Sequence, residues 1–219
     1  SAAIVSVADE QPRVLMVHHE AGGDGLPFGP FDPLRHRTLE SGLRTWVYEQ
    51  TYLDLDYVEQ LYTFGDRGRH LMKSGEGPRV VSVGYLALVR AIGELKAPDT
   101  LWREWYGYFP WEDWRKKKPD IIEAVIAPAL RSFVKADERR RDRVRLCFGL
   151  DGLPWDEERV LERYELLYEA GLVEESKRDG RASALPETPL GLSMIFDHRR
   201  ILATAIARLR GKIKYRPVV

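Results

Sequence analysis

The apolar run at residues 80–89 is the feature that most limits the fold of this chain. It reads Val-Val-Ser-Val-Gly-Tyr-Leu-Ala-Leu-Val, and its apolar residues occupy both odd and even positions. A strand with one face in solvent alternates apolar and polar residues, whereas apolar residues at both parities are typical of a central strand covered on both faces. The run therefore predicts a sheet with further elements packed on each side.

Shorter runs predict the rest of the sheet. Residues 3–7 and 13–18 are rich in β-branched and apolar side chains, and the polar segment between them predicts a hairpin. Residues 57–64 predict another strand, while residues 20–33 contain four Gly and three Pro and have the composition of a loop.

A helix is predicted between the loop and the strand at 57–64. Within residues 38–50, apolar side chains recur at the spacing of one helical face, at Leu39, Leu43, Trp46 and Val47. The order of strands, helix, strands, a mostly helical stretch and a final helix predicts a layered α+β fold.

The second half of the chain has a different character. Residues 101–114 hold a dense set of Trp, Tyr and Phe, which we interpret as a packed cluster or a dimer contact rather than as a surface that stacks on an adenine. Amphipathic helices are predicted at 121–133, at 156–170 and at 197–209, with Gly171 ending the second and Gly211 the third.

Composition excludes several classes of protein. The 34 basic and 34 acidic residues balance, so attraction to nucleic acid would have to come from a local patch. The single cysteine excludes an internal disulfide framework and a zinc cluster built from cysteines. No apolar run reaches the ~18 residues of a membrane span, and the start of the chain has no signal-peptide pattern, so a cytoplasmic protein is expected.

A strand pair, a Gly/Pro-rich loop, a helix and another strand follow one another in the order of a Nudix domain. The end of the helix and the residues after it, Glu49-Gln50-Thr51-Tyr52-Leu53, resemble the end of the Nudix motif. In that family, glutamates on the helix hold Mg²⁺ against a pyrophosphate. Here Glu49 alone of that set remains, because the other aligned positions hold Arg37, Thr45, Trp46, Gln50 and Tyr52. One carboxylate beside a neutral amide cannot hold the metal array, so the resemblance implies no catalytic residue, no metal site and no Mg²⁺ cofactor.

Other segments resemble the Nudix-related transcriptional repressors of NAD metabolism, in particular the alphaproteobacterial NAD regulators. The similar segments are 42–51, 60–67, 79–88 and 196–218. The resemblance implies a Nudix-like α/β/α sandwich with a mixed sheet and a helical insertion. The expected division is a first part of the core at 1–94, an insertion at 95–192 and a closing helix with the start of a linker at 193–219.

The same resemblance implies a non-catalytic sensor of an adenine-dinucleotide-type or NAD-pathway metabolite. The ligand-binding candidates are Arg44, Glu49, Arg67 and Arg69. Arg44 has an alternative role, since it can pair with Glu40 one helical turn before it. In the family a winged-helix domain follows the segment that corresponds to residues 215–218, and it binds the operator as a homodimer. We therefore expect DNA to be bound by a domain that lies outside this chain.

The last basic segment offers a local patch. Residues 198–216 contain seven Arg or Lys and no acid, and Arg199, Arg200, Lys212 and Lys214 are candidate contacts to DNA phosphates. The alternative is the polar face of a helix that leads into a linker.

Two other functions also stay open for the whole chain: an active Nudix pyrophosphohydrolase on ADP-ribose-like substrates, and an interaction scaffold with an unused cleft.

Overall fold

The computed structural model describes residues 1–19, 22–65, 80–90, 95–135, 137–181 and 185–215. Residues 213–215 are described as backbone only. The strands are β1 (Ala2–Ala8), β2 (Gln11–His19), β3 (Gly23–Gly25), β4 (Tyr57–Phe64), β5 (Ser82–Leu88) and β6 (Thr100–Glu104). The α-helices are α1 (Leu39–Thr51), α2 (Ala127–Val134), α3 (Glu138–Phe148), α4 (Val160–Glu169) and α5 (His198–Tyr215). Short 3₁₀ helices cover Trp105–Gly107, Pro110–Glu112 and Glu174–Asp179, and a π-helical turn covers Ile122–Ile126.

The six strands form one mixed sheet, as the fold-class prediction requires. The order is β3-β2-β1-β5-β4, with β6 also paired to β2. The β1–β5 pair is parallel and the other pairs are antiparallel. Strand β5 lies between β1 and β4, and its Leu86 and Ala87 are fully buried, so the prediction of a central, doubly covered strand is confirmed.

Helix α1 begins at a capping box. The Oγ1 of Thr38 accepts a hydrogen bond from the Ser41 N–H, and the Ser41 Oγ accepts one from the Thr38 N–H, each at 3.0 Å. The helix ends where Tyr52 takes the left-handed conformation, at φ 56°. Its buried face, which includes Leu43 and Val47, packs in a core with Ile4, Leu15 and Ala87.

Contacts divide the chain into two compact units. The first comprises Ser1–Trp105 and Met194–Ala205, and the second comprises Tyr106–Ser193 and Ile206–Val219. Strand β6 belongs to the first unit because it pairs with β2, so the sheet continues beyond the expected boundary at residue 94.

The second unit has an aromatic core. Tyr108, Phe109 and Trp111 have no exposed surface, and the ring of Phe109 contacts those of Trp111 and Tyr164 at centroid distances of 5.8 and 6.2 Å. The later part of the aromatic run, from Tyr106 onwards, therefore belongs to this unit and packs there, which is the first of its two interpretations.

One detail differs from the sequence prediction. Helix α5 continues through Gly211 to Tyr215, and Gly211 lacks the positive φ with which a glycine ends a helix. Among the described helices, none is long and apolar enough to cross a lipid bilayer.

Candidate functional site

The first unit contains a cleft of about 580 Å³ beside helix α1. One wall is the loop before the helix, a second is α1 itself, and a third is the start of strand β5. The lining residues are Ser1, Phe28, Gly29, Pro30, Phe31, Leu39, Gly42, Leu43, Trp46, Val80, Val81, Ser82, Val83 and Tyr85. None of these carries a charged side chain, so the cleft itself offers apolar and aromatic contacts rather than a metal or phosphate site.

Two glycines let the loop lie close to the helix. A Cβ at Gly29 would come within 2.6 Å of the Trp46 Cγ, and a Cβ at Gly42 would come within 2.8 Å of the His36 Nδ1. The imidazole of His36 is itself held in place, because its Nδ1 accepts a hydrogen bond from the Asp32 N–H at 3.1 Å. Any side chain larger than glycine at these positions would push the loop away from the helix and change the shape of the cleft.

The side chain of Gln50 fixes the backbone of Phe28. Its Nε2 donates to the Phe28 carbonyl at 2.6 Å, and its Oε1 accepts from the Phe28 N–H at 3.3 Å. A carboxylate at this position could accept the second bond but could not donate the first. An amide rather than a carboxylate therefore holds one wall of the cleft.

Phe28 also lies in a cluster of rings. Its ring centroid is 5.0 Å from that of His19, 5.6 Å from that of Phe196 and 5.2 Å from that of His198. Burial, together with the neighbouring charge of His18, lowers the pKa of His19, so this imidazole is neutral at neutral pH.

The tautomer of His198 follows from its hydrogen bonds. Its Nδ1 accepts from the Leu26 N–H at 3.1 Å, so the proton of the neutral ring is on Nε2. That Nε2 lies 3.3 Å from the Ser1 Oγ and donates to it. Because a general base must accept the hydroxyl proton, this geometry does not activate Ser1 as a nucleophile.

The two described ligand candidates on α1 lie away from the cleft lining. The Nε of Arg44 donates to the Glu40 Oε1 at 2.9 Å, and its guanidinium also donates to the carbonyls of Leu55 and Asp56. Arg44 thus takes the pairing that was its alternative role, and it ties α1 to the segment that follows the helix. Glu49 is exposed. Arg67 and Arg69 lie outside the described residues.

The candidate DNA contacts differ in their exposure. Arg199 is only 1% exposed, because the first turns of α5 pack inside the first unit, where Ile201 and Leu202 are also fully buried. A DNA phosphate cannot reach that guanidinium in this conformation, which corrects the expectation for Arg199. Arg200 and Lys212 are half-buried, and the side chain of Lys214 lies outside the described part.

Across the described ranges, no three His, Cys, Asp or Glu side chains are grouped so that they could hold a metal ion. The sequence drew attention to Gln50 through the resemblance, but it did not give the partner of its amide. That partner is a backbone group 22 residues earlier in a Gly/Pro-rich loop, and no local pattern predicts the path of such a loop.

Comparison with known proteins gives structural similarity alone: no family model and no curated protein matches the sequence. The ADP-ribose complex of the Nudix domain of Shewanella oneidensis NrtR is 28% identical over 48% of this chain and 70% of that one, with a TM-score of 0.39. NrtR of the same organism bound to a 27mer DNA is 17% identical over 96% of this chain and 61% of that one, with a TM-score of 0.47. The Ap4A hydrolase of C. elegans is 12% identical over 48% of this chain and 76% of that one, with a TM-score of 0.38. The chain is thus similar in structure to Nudix domains, from a regulator and from a hydrolase.

Proposed function

We propose that this chain is the effector-sensing, non-catalytic part of a transcriptional repressor of NAD biosynthesis. Its cleft would bind an adenine-dinucleotide-type or NAD-pathway metabolite, such as ADP-ribose or NAD. The regulatory role and the class of ligand follow from the sequence resemblance, and the geometry of the first unit supports binding without turnover.

The observation that carries this proposal is the pair of hydrogen bonds between Gln50 and the backbone of Phe28. An amide nitrogen that donates to a carbonyl cannot also coordinate a cation. The wall of the cleft is therefore held by an uncharged side chain, at the position where hydrolysis of a phosphoanhydride would need a metal-binding carboxylate.

The lining of the cleft fits the ring portion of a nucleotide. Phe31, Trp46 and Tyr85 place aromatic surface around a space of about 580 Å³, and aromatic rings stack on nucleobases. The charge that a pyrophosphate requires would come from Arg67 and Arg69, whose guanidinium groups suit bidentate contacts with phosphate oxygens.

Regulation would follow from a difference in ligand affinity between two states of the full repressor. A metabolite that binds the released state more tightly than the DNA-bound state shifts the population towards release. We expect the operator to be bound by a winged-helix domain that follows this segment in a cytoplasmic homodimer.

The test is a calorimetric titration of the purified chain with ADP-ribose, NAD, NMN and nicotinic acid mononucleotide, with and without Mg²⁺. Binding of one of them without Mg²⁺ and without products supports the proposal. A ligand at 100 times its Kd stabilises the fold by about 2.7 kcal/mol, so a shift in melting temperature gives an independent readout.

A matched pair of variants locates the binding. Leu39→Trp places a large ring in the cleft, whereas Leu34→Trp places the same ring on a side chain that is 96% exposed and does not line the cleft. The first variant should lose affinity and the second should keep it. Mg²⁺-dependent release of AMP would instead establish the pyrophosphohydrolase, and no response to any of the ligands would favour the scaffold.

A further inference from the structure

A second cavity lies in the second unit, between helices α2 and α3, and it is basic. It has a volume of about 300 Å³. Its lining residues are Arg131, Val134, Lys135, Arg141, Val144, Arg145, Leu150 and Asp151. Four of these eight side chains are cationic and one is a carboxylate, in contrast to the uncharged lining of the cleft in the first unit.

The charges in this cavity are incompletely neutralised. Asp151 is shared between Arg131, at 3.5 Å, and Arg145, at 3.0 Å, and Asp142 also contacts Arg145, at 3.3 Å. Within the part of the chain that the structure describes, Lys135 and Arg141 form no ion pair. Two positive charges therefore face the cavity without a carboxylate partner from these residues.

Three arginines of the second unit that do not line this cavity are each paired with an acid. Arg143 contacts Glu169 at 2.6 Å, Arg115 contacts Asp113 at 2.7 Å and Arg159 contacts Glu162 at 2.5 Å. A charge that is offset by a neighbouring acid attracts external anions weakly, so unpaired cations in a concave site mark where an anion would bind.

The guanidinium of Arg141 is also held in position. The Nη2 of Arg141 donates to the Lys135 carbonyl at 3.0 Å, which orients its guanidinium at the end of α2. The floor of the cavity consists of Val134, Val144 and Leu150, which are all at least 95% buried. An apolar floor lowers the local dielectric constant and strengthens the attraction between a bound anion and the surrounding cations.

We propose that this cavity binds a phosphate group. Guanidinium and ammonium groups converging on one small space suit the three oxygens of a phosphate, through charge-assisted hydrogen bonds. The volume fits one or two phosphate groups and is too small for a base pair. The phosphate comes either from a phosphorylated metabolite or from a nucleic acid backbone lying across the rim, and the chemistry of recognition is the same for both.

The first experiment titrates the whole chain with inorganic pyrophosphate, by calorimetry at low ionic strength. Lys135→Ala and Arg141→Gln each remove one unpaired charge, and the glutamine keeps a donor for the Lys135 carbonyl. Each variant should raise the Kd about tenfold, since a hydrogen bond to a charged group contributes on that scale. Arg139→Ala is the matched control, because Arg139 is an exposed arginine of the same helix that does not line the cavity.

A variant with the opposite effect guards against loss of folding. Asp151→Asn removes the carboxylate that competes with a bound anion, and asparagine tolerates the positive φ of 54° at this position. This variant should bind pyrophosphate more tightly than the parent chain. Leu39→Trp, which fills the cleft of the first unit, should leave the binding of pyrophosphate in the cavity between α2 and α3 unchanged.

The source of the phosphate is resolved by repeating the titrations with a mixed-sequence DNA duplex. If the duplex binds, and if its affinity falls steeply with salt and is weakened by Arg141→Gln, the phosphate is that of a nucleic acid backbone. If pyrophosphate binds and the duplex does not displace it, the phosphate is that of a phosphorylated metabolite. Failure of both probes to bind, or an equal loss of affinity in Arg139→Ala and Arg141→Gln, would overturn the proposal.

Discussion

The guanidinium of Arg163 and the carboxylate of Glu112 form an ion pair with no solvent-exposed surface on either side chain. The Nε of Arg163 donates to one carboxylate oxygen at 2.5 Å and its Nη2 donates to the other at 3.0 Å. Its Nη1 donates to the carbonyls of Cys147 and Asp156, so four of the five N–H groups of the guanidinium are used. This pair joins α4 to the aromatic segment 51 residues before it.

Removal of one partner should be strongly destabilising. Arg163→Met leaves the carboxylate of Glu112 buried next to Arg210 alone, whose Nη1 lies 2.5 Å from it. We expect the free energy of unfolding to fall by about 3–5 kcal/mol, as measured by urea denaturation. Arg159→Met removes two partly exposed ion pairs, with Asp156 and Glu162, and should cost about 1 kcal/mol or less. Equal effects of the two variants would show that burial of the Glu112 pair is not what matters.

The amide of Gln50 gives a second prediction. Gln50→Glu keeps the size of the side chain but removes the donor to the Phe28 carbonyl and places two acceptors against each other. We expect a loss of about 1–2 kcal/mol in the free energy of unfolding, and no Mg²⁺-dependent hydrolysis of ADP-ribose. The neighbouring Glu49→Gln is the control, and at this exposed site it should change stability by less than about 0.5 kcal/mol. Mg²⁺-dependent turnover by Gln50→Glu would contradict our interpretation of this position.

The parts of the fold that the sequence predicted are those governed by local periodicity. Strand β5 has apolar residues at both odd and even positions, as expected for a strand that is covered on both faces. Helix α1 has an apolar face that includes Leu43 and Trp46, as expected for a helix that packs on one side. Strand β6 was missed because its five residues begin an aromatic run and become a strand only by pairing with β2. Strand propensity depends on such partners, and they are not visible in the local sequence.

Buried polar side chains and the candidate site were predicted less completely because their contacts are distant in sequence. Arg163 and Arg199 are typical surface residues by composition, yet their exposed fractions are 0% and 1%. The acid that makes the burial of Arg163 possible comes from another element, 51 residues away. The cleft itself required knowledge of how the loop containing Phe28 folds back on α1. Composition identified that loop but could not give its path.

The capping box of α1 gives a third prediction, on the stability of the helix that bears the site. Thr38→Ala removes the acceptor for the Ser41 N–H and should cost about 1 kcal/mol. Thr38→Ser keeps the hydroxyl oxygen and should be close to neutral. Denaturant midpoints of the two variants check this, and an unchanged midpoint in Thr38→Ala would mean that tertiary packing alone fixes the start of the helix.

The buried thiol of Cys147 gives a prediction about pH. Burial, and to a lesser extent the nearby charge of Glu162, raises the pKa of Cys147 to about 11 from the ordinary 9.0. A raised pKa in the folded state means that the folded chain keeps the proton while the unfolded chain loses it, so the stabilising contribution is complete below pH 9 and is lost as the pH rises to 11. The difference in unfolding free energy between the parent chain and Cys147→Ala should therefore be constant up to pH 9 and shrink between pH 9 and 11. The thiol should also react with a disulfide reagent at pH 8 far more slowly than a free cysteine does, since the thiolate is the reactive form. Rapid labelling of the folded chain at pH 8 would show that Cys147 is accessible and ionised, against this account.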